Sequence, residues 1–203
     1  SFSLSNRMPG ARDKQRLPLQ SALGEAYLAN HVLRLKQLEL ALPAGRVSAH
    51  GSLSETALDL QADVRDVDAA KLMSSLLATR LSGQLQLKGS PQQPTLQLNL
   101  RDPRLAASGQ ASLLPLADGR QLRLRQLRLS AGSAEAELNG VVDLTSRTAL
   151  QLSAQLQHFN PAAFGAFPPA DLNGRMVVAG RIDPRPDLSL NLQLDHSSFR
   201  APP

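Results

Sequence analysis

Apolar and polar residues alternate along most of this chain, and that pattern decides what it can fold into. From Ala57 to Val64, Leu58, Leu60, Ala62 and Val64 fall on one side, and Asp59, Gln61 and Asp63 on the other. A β-strand sends successive side chains to opposite faces in this way. Leu81 to Lys88, Thr95 to Leu100, Leu150 to Gln157 and Leu188 to Asp195 repeat the pattern. Each reads as a strand with one wet and one dry face, unlike the unbroken apolar runs of a buried parallel sheet. Further strands are expected near 17–28, 32–42, 46–53, 104–113, 121–129, 134–144 and 171–180. Turn residues punctuate them: Pro43-Ala44-Gly45, Gly89-Ser90-Pro91, Asp118-Gly119, Thr145-Ser146 and Asp183-Pro184-Arg185-Pro186. Residues 7–16 read as a mobile polar loop.

The alternation is itself repeated. Leu33-Arg34-Leu35-Lys36-Gln37-Leu38-Glu39-Leu40 recurs 89 positions later as Leu122-Arg123-Leu124-Arg125-Gln126-Leu127-Arg128-Leu129. Gly51 matches Gly140, Leu60 and Ala62 match Leu152 and Ala154, and Leu81-Ser82-Gly83 matches Leu172-Asn173-Gly174. The whole of 1–203 therefore reads as one β segment holding two copies, about 31–120 and 121–203, each of roughly five strands and one short helix. The first helix is expected over Asp68–Leu77, capped by Asp68, with Leu72, Met73 and Leu76 on one side. The second is expected over Asn160–Phe167, capped by Asn160, with Pro161 in its first turn. Leu33 and Leu35 are out of phase with Leu38 and Leu40, which places a β-bulge between them. Glycines at matching places on the apolar face (Gly51, Gly83, Gly140 and Gly174 among them) suggest a strongly curved sheet.

Composition narrows the chemistry. Leucine accounts for 40 of 203 residues, against one Tyr, five Phe, no Trp and no Cys. Disulfides, thiol catalysis and cysteine-held metals are excluded. His31, His50, His158 and His196 lie far apart and read as surface residues, and Asp59 and Asp63 read as solvated acids on one strand face. No nucleophile elbow, phosphate loop or dinucleotide fingerprint occurs, so no enzyme, cofactor or metal is expected. The net charge is +5 and the isoelectric point about 10.4. Arg120, Arg123, Arg125 and Arg128 form a basic stripe that reads as a solvated edge or a contact for anionic headgroups. It lacks the aromatic platforms of nucleic-acid binders, so no nucleic acid is expected. No segment is apolar enough for a membrane-spanning helix, and the start at Ser1 reads as an excised piece of a longer protein.

What covers the leucine face is the open question. Two sheets can bury each other as a sandwich. An outer-membrane barrel would need aromatic girdles that this chain lacks, and a β-helix has a much shorter coil. The remaining option is one long antiparallel sheet curled around an apolar groove. Leu-x-Gly-x-Leu-x-Leu-x-Gly followed by Pro and a Leu-x-Leu-x-Leu strand, at 81–100 and in a variant form at 172–192, resembles the AsmA-like superfamily, nearest its TamB-type branch. So do the capped segments that begin Val67-Asp68-Ala69-Ala70 and Phe159-Asn160-Pro161-Ala162.

The resemblance implies a mainly β fold, a β-taco, in a periplasmic protein anchored in the inner membrane of a Gram-negative bacterium. It implies a bridge-like carrier of phospholipid acyl chains that supports outer-membrane assembly, with an outer-membrane barrel of the Omp85 type as partner. The expected groove lining is Leu58, Leu60, Val64, Leu85, Leu87, Leu96, Leu98, Leu150, Leu152, Leu156, Met176, Val178, Leu190 and Leu192. Terminal strands without neighbours are expected to pair edge to edge with other copies. The competing reading is a non-enzymatic structural or interaction module that buries its own leucines and offers its edges to a protein partner.

Overall fold

The computed structural model describes residues 1–72, 74, 76–145, 148–164, 168–181 and 187–199. The chain is mainly β. Its strands are β1 (Phe2–Ser5), β2 (Ser21–Ala29), β3 (Val32–Ala41), β4 (Arg46–Leu53), β5 (Leu58–Val67), β6 (Leu81–Gly89), β7 (Pro94–Arg101), β8 (Ala106–Leu116), β9 (Gly119–Ala131), β10 (Ala134–Leu144), β11 (Ala149–Phe159), β12 (Ala170–Arg181), β13 (Asp187–Leu194) and β14 (Ser198–Phe199). They form an open antiparallel sheet in sequence order from β1 to β13, with β14 on β12. The alternating segments are all strands. β1 and β14 are the strands the alternation did not reveal, because each is too short to show a period.

The chain divides into two compact units. Unit 1 is Ser1–Pro91 with Leu98–Pro103, and unit 2 is Gln92–Gln97 with Arg104–Pro203. The division falls inside β7, whereas the sequence repeat changes copy at 120–121.

In unit 1 the registers align the apolar residues in rows across β1 to β6. One row runs Leu4, Ala22, Leu40, Val47, Val64 and Gly83, and the next Phe2, Gly24, Leu38, Ala49, Ala62 and Leu85. The third is Ala26, Leu35, Gly51, Leu60 and Leu87, and the last Leu28, Leu33, Leu53, Leu58 and Gly89. Unit 2 repeats the scheme over β8 to β13. Its rows are Ala107, Leu129, Ala136, Leu156, Gly174, Leu194; then Leu127, Leu138, Ala154, Met176, Leu192. Ala111, Leu124, Gly140, Leu152, Val178, Leu190 come next, and finally Leu113, Leu122, Val142, Leu150, Gly180, Leu188. Period-two alternation puts every member of these rows on one face, which is why the face is continuous within a unit.

The phase shift between Leu35 and Leu38 is a bulge, as expected: His50 alone faces Lys36 and Gln37. Its counterpart in unit 2 has Asn139 facing Arg125 and Gln126. Further bulges set Ser82 against Arg65 and Asp66, and Asn173 against Gln157 and His158. An inserted residue keeps both flanking side chains on the apolar face and bends the strand locally.

The first expected helix is shorter than the sequence suggests. It is a single turn, α1 (Ala69–Leu72), so Leu76 lies off it, and Met73 lies outside the described residues. The second begins as a 3₁₀ turn over Pro161–Ala163, and the remainder of the expected stretch, residues 165–167, lies outside the described residues. Both caps form. Asp68 Oδ1 accepts the N–H of Ala70 at 3.0 Å and of Thr79 at 3.0 Å. Asn160 Oδ1 accepts the N–H of Ala162 at 3.2 Å and of Ala170 at 3.3 Å. Each cap therefore also fastens the start of the returning chain.

Candidate functional site

The candidate site is the apolar face of the sheet in each unit, and its character derives from how little covers it. The chain exposes 13161 Å², where a compact monomer of its mass exposes roughly 9,000 Å². Among the described residues no large side chain falls below 2% exposure. A sandwich of the same leucines would bury them between its layers. Here they remain half-wet.

Burial is graded along the strands. In unit 1, Ala22, Val64 and Val67 are buried at the end that carries the Asp68 cap, whereas Leu28 is 72% exposed at the opposite end. Thr79 seals the capped end: its Oγ1 donates to the Val67 carbonyl at 3.1 Å and accepts the Ala69 N–H at 2.8 Å. In unit 2, Ala136, Ala154 and Leu156 form a buried cluster against Leu138, Phe159, Leu172 and Met176. The rings of Phe159 and Phe164 stack at 5.2 Å beside it. The face of each unit is thus closed at the capped end and open at the other.

The expected lining residues divide along this gradient. Val64 and Leu156 are buried in the capped ends. Leu58, Leu60, Leu85 and Leu87 are half-buried on the face of unit 1, and Leu150, Leu152, Met176 and Val178 on that of unit 2. Leu96 and Leu98 alternate along β7, also half-buried, the first in unit 2 and the second in unit 1. Leu190, at 63%, and Leu192 are exposed on β13, the last strand of the sheet path.

Among the described residues the rows of this face hold no polar side chain. In these apolar rows every position is aliphatic, Met, Gly or Phe. Gly51 and Gly140 hold backbone angles of φ +146° and +153°, and a Cβ there would strike the carbonyl oxygens of Asp59 and Gln151. Only glycine permits so close an approach of neighbouring strands at the bulges. At Gly24 the ring of Phe2 occupies the space a side chain would take.

Charged groups lie elsewhere. All four histidines are exposed, and no cluster fit to hold a metal occurs among the described residues. His158 Nδ1 lies 3.2 Å from Asp171, and Asp59 pairs with Lys88 at 3.8 Å. The arginine stripe of β9 is largely engaged. Arg128 pairs with Glu137 at 2.9 Å, and the hydrogen bond to that carboxylate raises the guanidinium pKa above its ordinary value. Arg123 donates to Gln121 and Arg120 to the Gln92 carbonyl. The pattern of the sequence missed one recurrent polar device. Asp66, Gln126 and His158 adopt left-handed backbone at their bulges, with φ 52°, 50° and 46°. Their N–H groups are accepted by Ser82, Asn139 and Asn173 at 3.0, 2.7 and 2.8 Å. The signal was a polar residue immediately before a strand glycine.

No family model matches the chain, and no curated protein and no solved structure matches it significantly.

Proposed function

We propose that the apolar face carries lipid acyl chains, as a periplasmic segment of a bridge-like protein that moves phospholipid between inner and outer membranes and supports outer-membrane assembly. The observation that carries this reading is an aliphatic face, in register across each unit, that no packed layer buries. Removing a CH₂ from water is worth about 0.8 kcal/mol, so a tail laid over such rows is held without hydrogen bonds. The absence of polar anchors along the rows leaves a tail free to slide. An Omp85-type barrel is the partner this reading implies for the whole protein.

Extraction and native mass spectrometry of the purified chain test the reading. Phospholipid bound at near-stoichiometric amount is expected, and Leu152→Asp, at a half-buried position, is expected to stay folded and lose it. A lipid-free chain, or a Leu152→Asp variant that still carries lipid, refutes it.

A second reading, an interaction module, has its own observation. Among the described residues β13 pairs through one edge only, and its Leu188 and Leu190 are 51% and 63% exposed. Such an edge recruits a strand from another chain, and a second copy is the simplest donor. Analytical ultracentrifugation that finds only monomer at high concentration removes it.

A further inference from the structure

Cations without a carboxylate partner gather at one end of unit 1. A single row of the sheet runs Ser5, Ser21, Ala41, Arg46 and Arg65. What lies beyond that row therefore emerges from the same end of the strands: residues 6–20, the turn 42–45 and the described residues of the capped segment, 66–72, 74 and 76–80. Asp13 draws the first and last of these together. Its Oδ1 accepts the Ser74 N–H at 3.1 Å, and its other oxygen accepts the Ser74 hydroxyl.

The acids at this end are all occupied. Asp13 holds Ser74, and Asp66 pairs with Arg80 at 3.1 Å. Asp68 accepts two backbone N–H groups and Asp102 accepts the Arg80 N–H. Arg12, Lys14, Arg16, Arg46, Arg65 and Lys71 are exposed and pair with no carboxylate among the described residues. Arg46 and Arg65 stand directly opposite each other across β4 and β5, a like-charge juxtaposition beside which Glu39 is the acid lining the same shallow pocket. Met8 and Leu17 flank the basic loop at 64% and 57% exposure. The contrast with unit 2 is sharp: its capped segment from Asn160 to Phe164 carries no charge.

We propose that this end of unit 1 docks on an anionic lipid surface, its cations meeting headgroup phosphates and Met8 and Leu17 entering the interface. Clustered cations next to exposed apolar side chains suit a membrane surface, where both are satisfied at once. A nucleic acid would want stacking rings, and this end has none. The proposal does not depend on what the apolar face carries.

Flotation of the purified 203-residue chain with vesicles tests it. Binding is expected to vesicles of phosphatidylcholine containing phosphatidylglycerol, to vanish on phosphatidylcholine alone, and to be lost at about 0.5 M salt. The triple variant Arg12→Gln, Lys14→Gln, Arg16→Gln is expected to bind at least roughly tenfold more weakly, with unchanged circular dichroism. The control pair Arg120→Gln, Arg125→Gln on β9 is expected to bind as the parent chain does. Equal binding by the triple variant overturns the proposal. So does equal binding to uncharged vesicles. Displacement by inorganic phosphate at constant ionic strength would mark a small-anion site instead, and equal affinity for a DNA duplex would mark a polyanion site; either overturns lipid docking.

Discussion

Asn139 stands across the sheet from Gln126 and accepts its backbone N–H through Oδ1 at 2.7 Å. The bond solves a specific difficulty. Two residues of β9 face one of β10, so the extra residue has no ladder partner, and Gln126 takes a left-handed backbone that L-residues avoid. A side-chain oxygen at the facing position supplies the missing acceptor. Asn173 does the same for His158, and also donates to Asp171 and to the His196 carbonyl.

These acceptors should therefore be worth measurable stability. Asn139→Ala is expected to cost about 1–2 kcal/mol by urea unfolding, and Asn173→Ala more, because it releases further bonds. Gln126→Gly should be neutral or stabilising, since glycine adopts the left-handed backbone without strain. A destabilised Gln126→Gly would show that the bulge geometry is not strained.

Glycines at the bulges should differ from glycines in turns. Gly140→Ala puts a methyl group against the Gln151 carbonyl and is expected to cost more than ~2 kcal/mol. Gly132 has open space around it and φ +62°, so Gly132→Ala should cost only the left-handed penalty of about 1 kcal/mol. Thermal melts of the two variants decide the matter.

The burial gradient predicts opposite outcomes on one face. Leu156→Asp places an unpaired charge in a packed end and is expected to cost several kcal/mol, enough to unfold unit 2. Leu190→Asp, at 63% exposure, should stay within about 0.5 kcal/mol of the parent. Circular dichroism and denaturant midpoints separate them. Equal tolerance of both would mean that the capped end is not packed.

The Asp13 clasp sets a pH dependence. Hydrogen bonds from the Ser74 hydroxyl and N–H hold the Asp13 carboxyl below the ordinary carboxylate range. A depressed acid stabilises the folded form above its unfolded value and loses that contribution as pH falls through the folded one. The protection factor of the Ser74 amide, its exchange rate taken against the intrinsic rate at each pH, should thus hold from neutral pH downward and fall only in strong acid, below the range of a free carboxylate. Asp13→Ala should show little protection at any pH. Loss of protection already at mildly acidic pH would contradict the clasp.

Much of this architecture was legible. Period-two alternation located the strands because a half-wet face imposes it residue by residue, and β4 and β10 begin and end where the pattern does. The phase slip in Leu35-Lys36-Gln37-Leu38 revealed the bulge because an inserted residue must break the alternation. The caps at Asp68 and Asn160 were readable from local chemistry. Helix length was not, because it is set by residues beyond the first turn: the first helix stops at Leu72 although Leu76 continues its apolar spacing. Nor was the division of the lining residues. Val64 and Leu190 sit in the same kind of alternation, yet one is buried and the other wet, since exposure is set by neighbouring strands and by the cap. The clasp between Asp13 and Ser74 joins residues too far apart in sequence for any periodicity to link them.

Each unit carries its own bulge, its own side-chain acceptors and its own capped end, and each of these closes on residues of the same unit. Stability is then supplied locally and does not have to be renegotiated when another copy is added. A protein of this kind can grow by tandem duplication of one segment, so that span becomes a matter of copy number, while single copies remain free to specialise, as the charged cap of unit 1 and the uncharged cap of unit 2 already have.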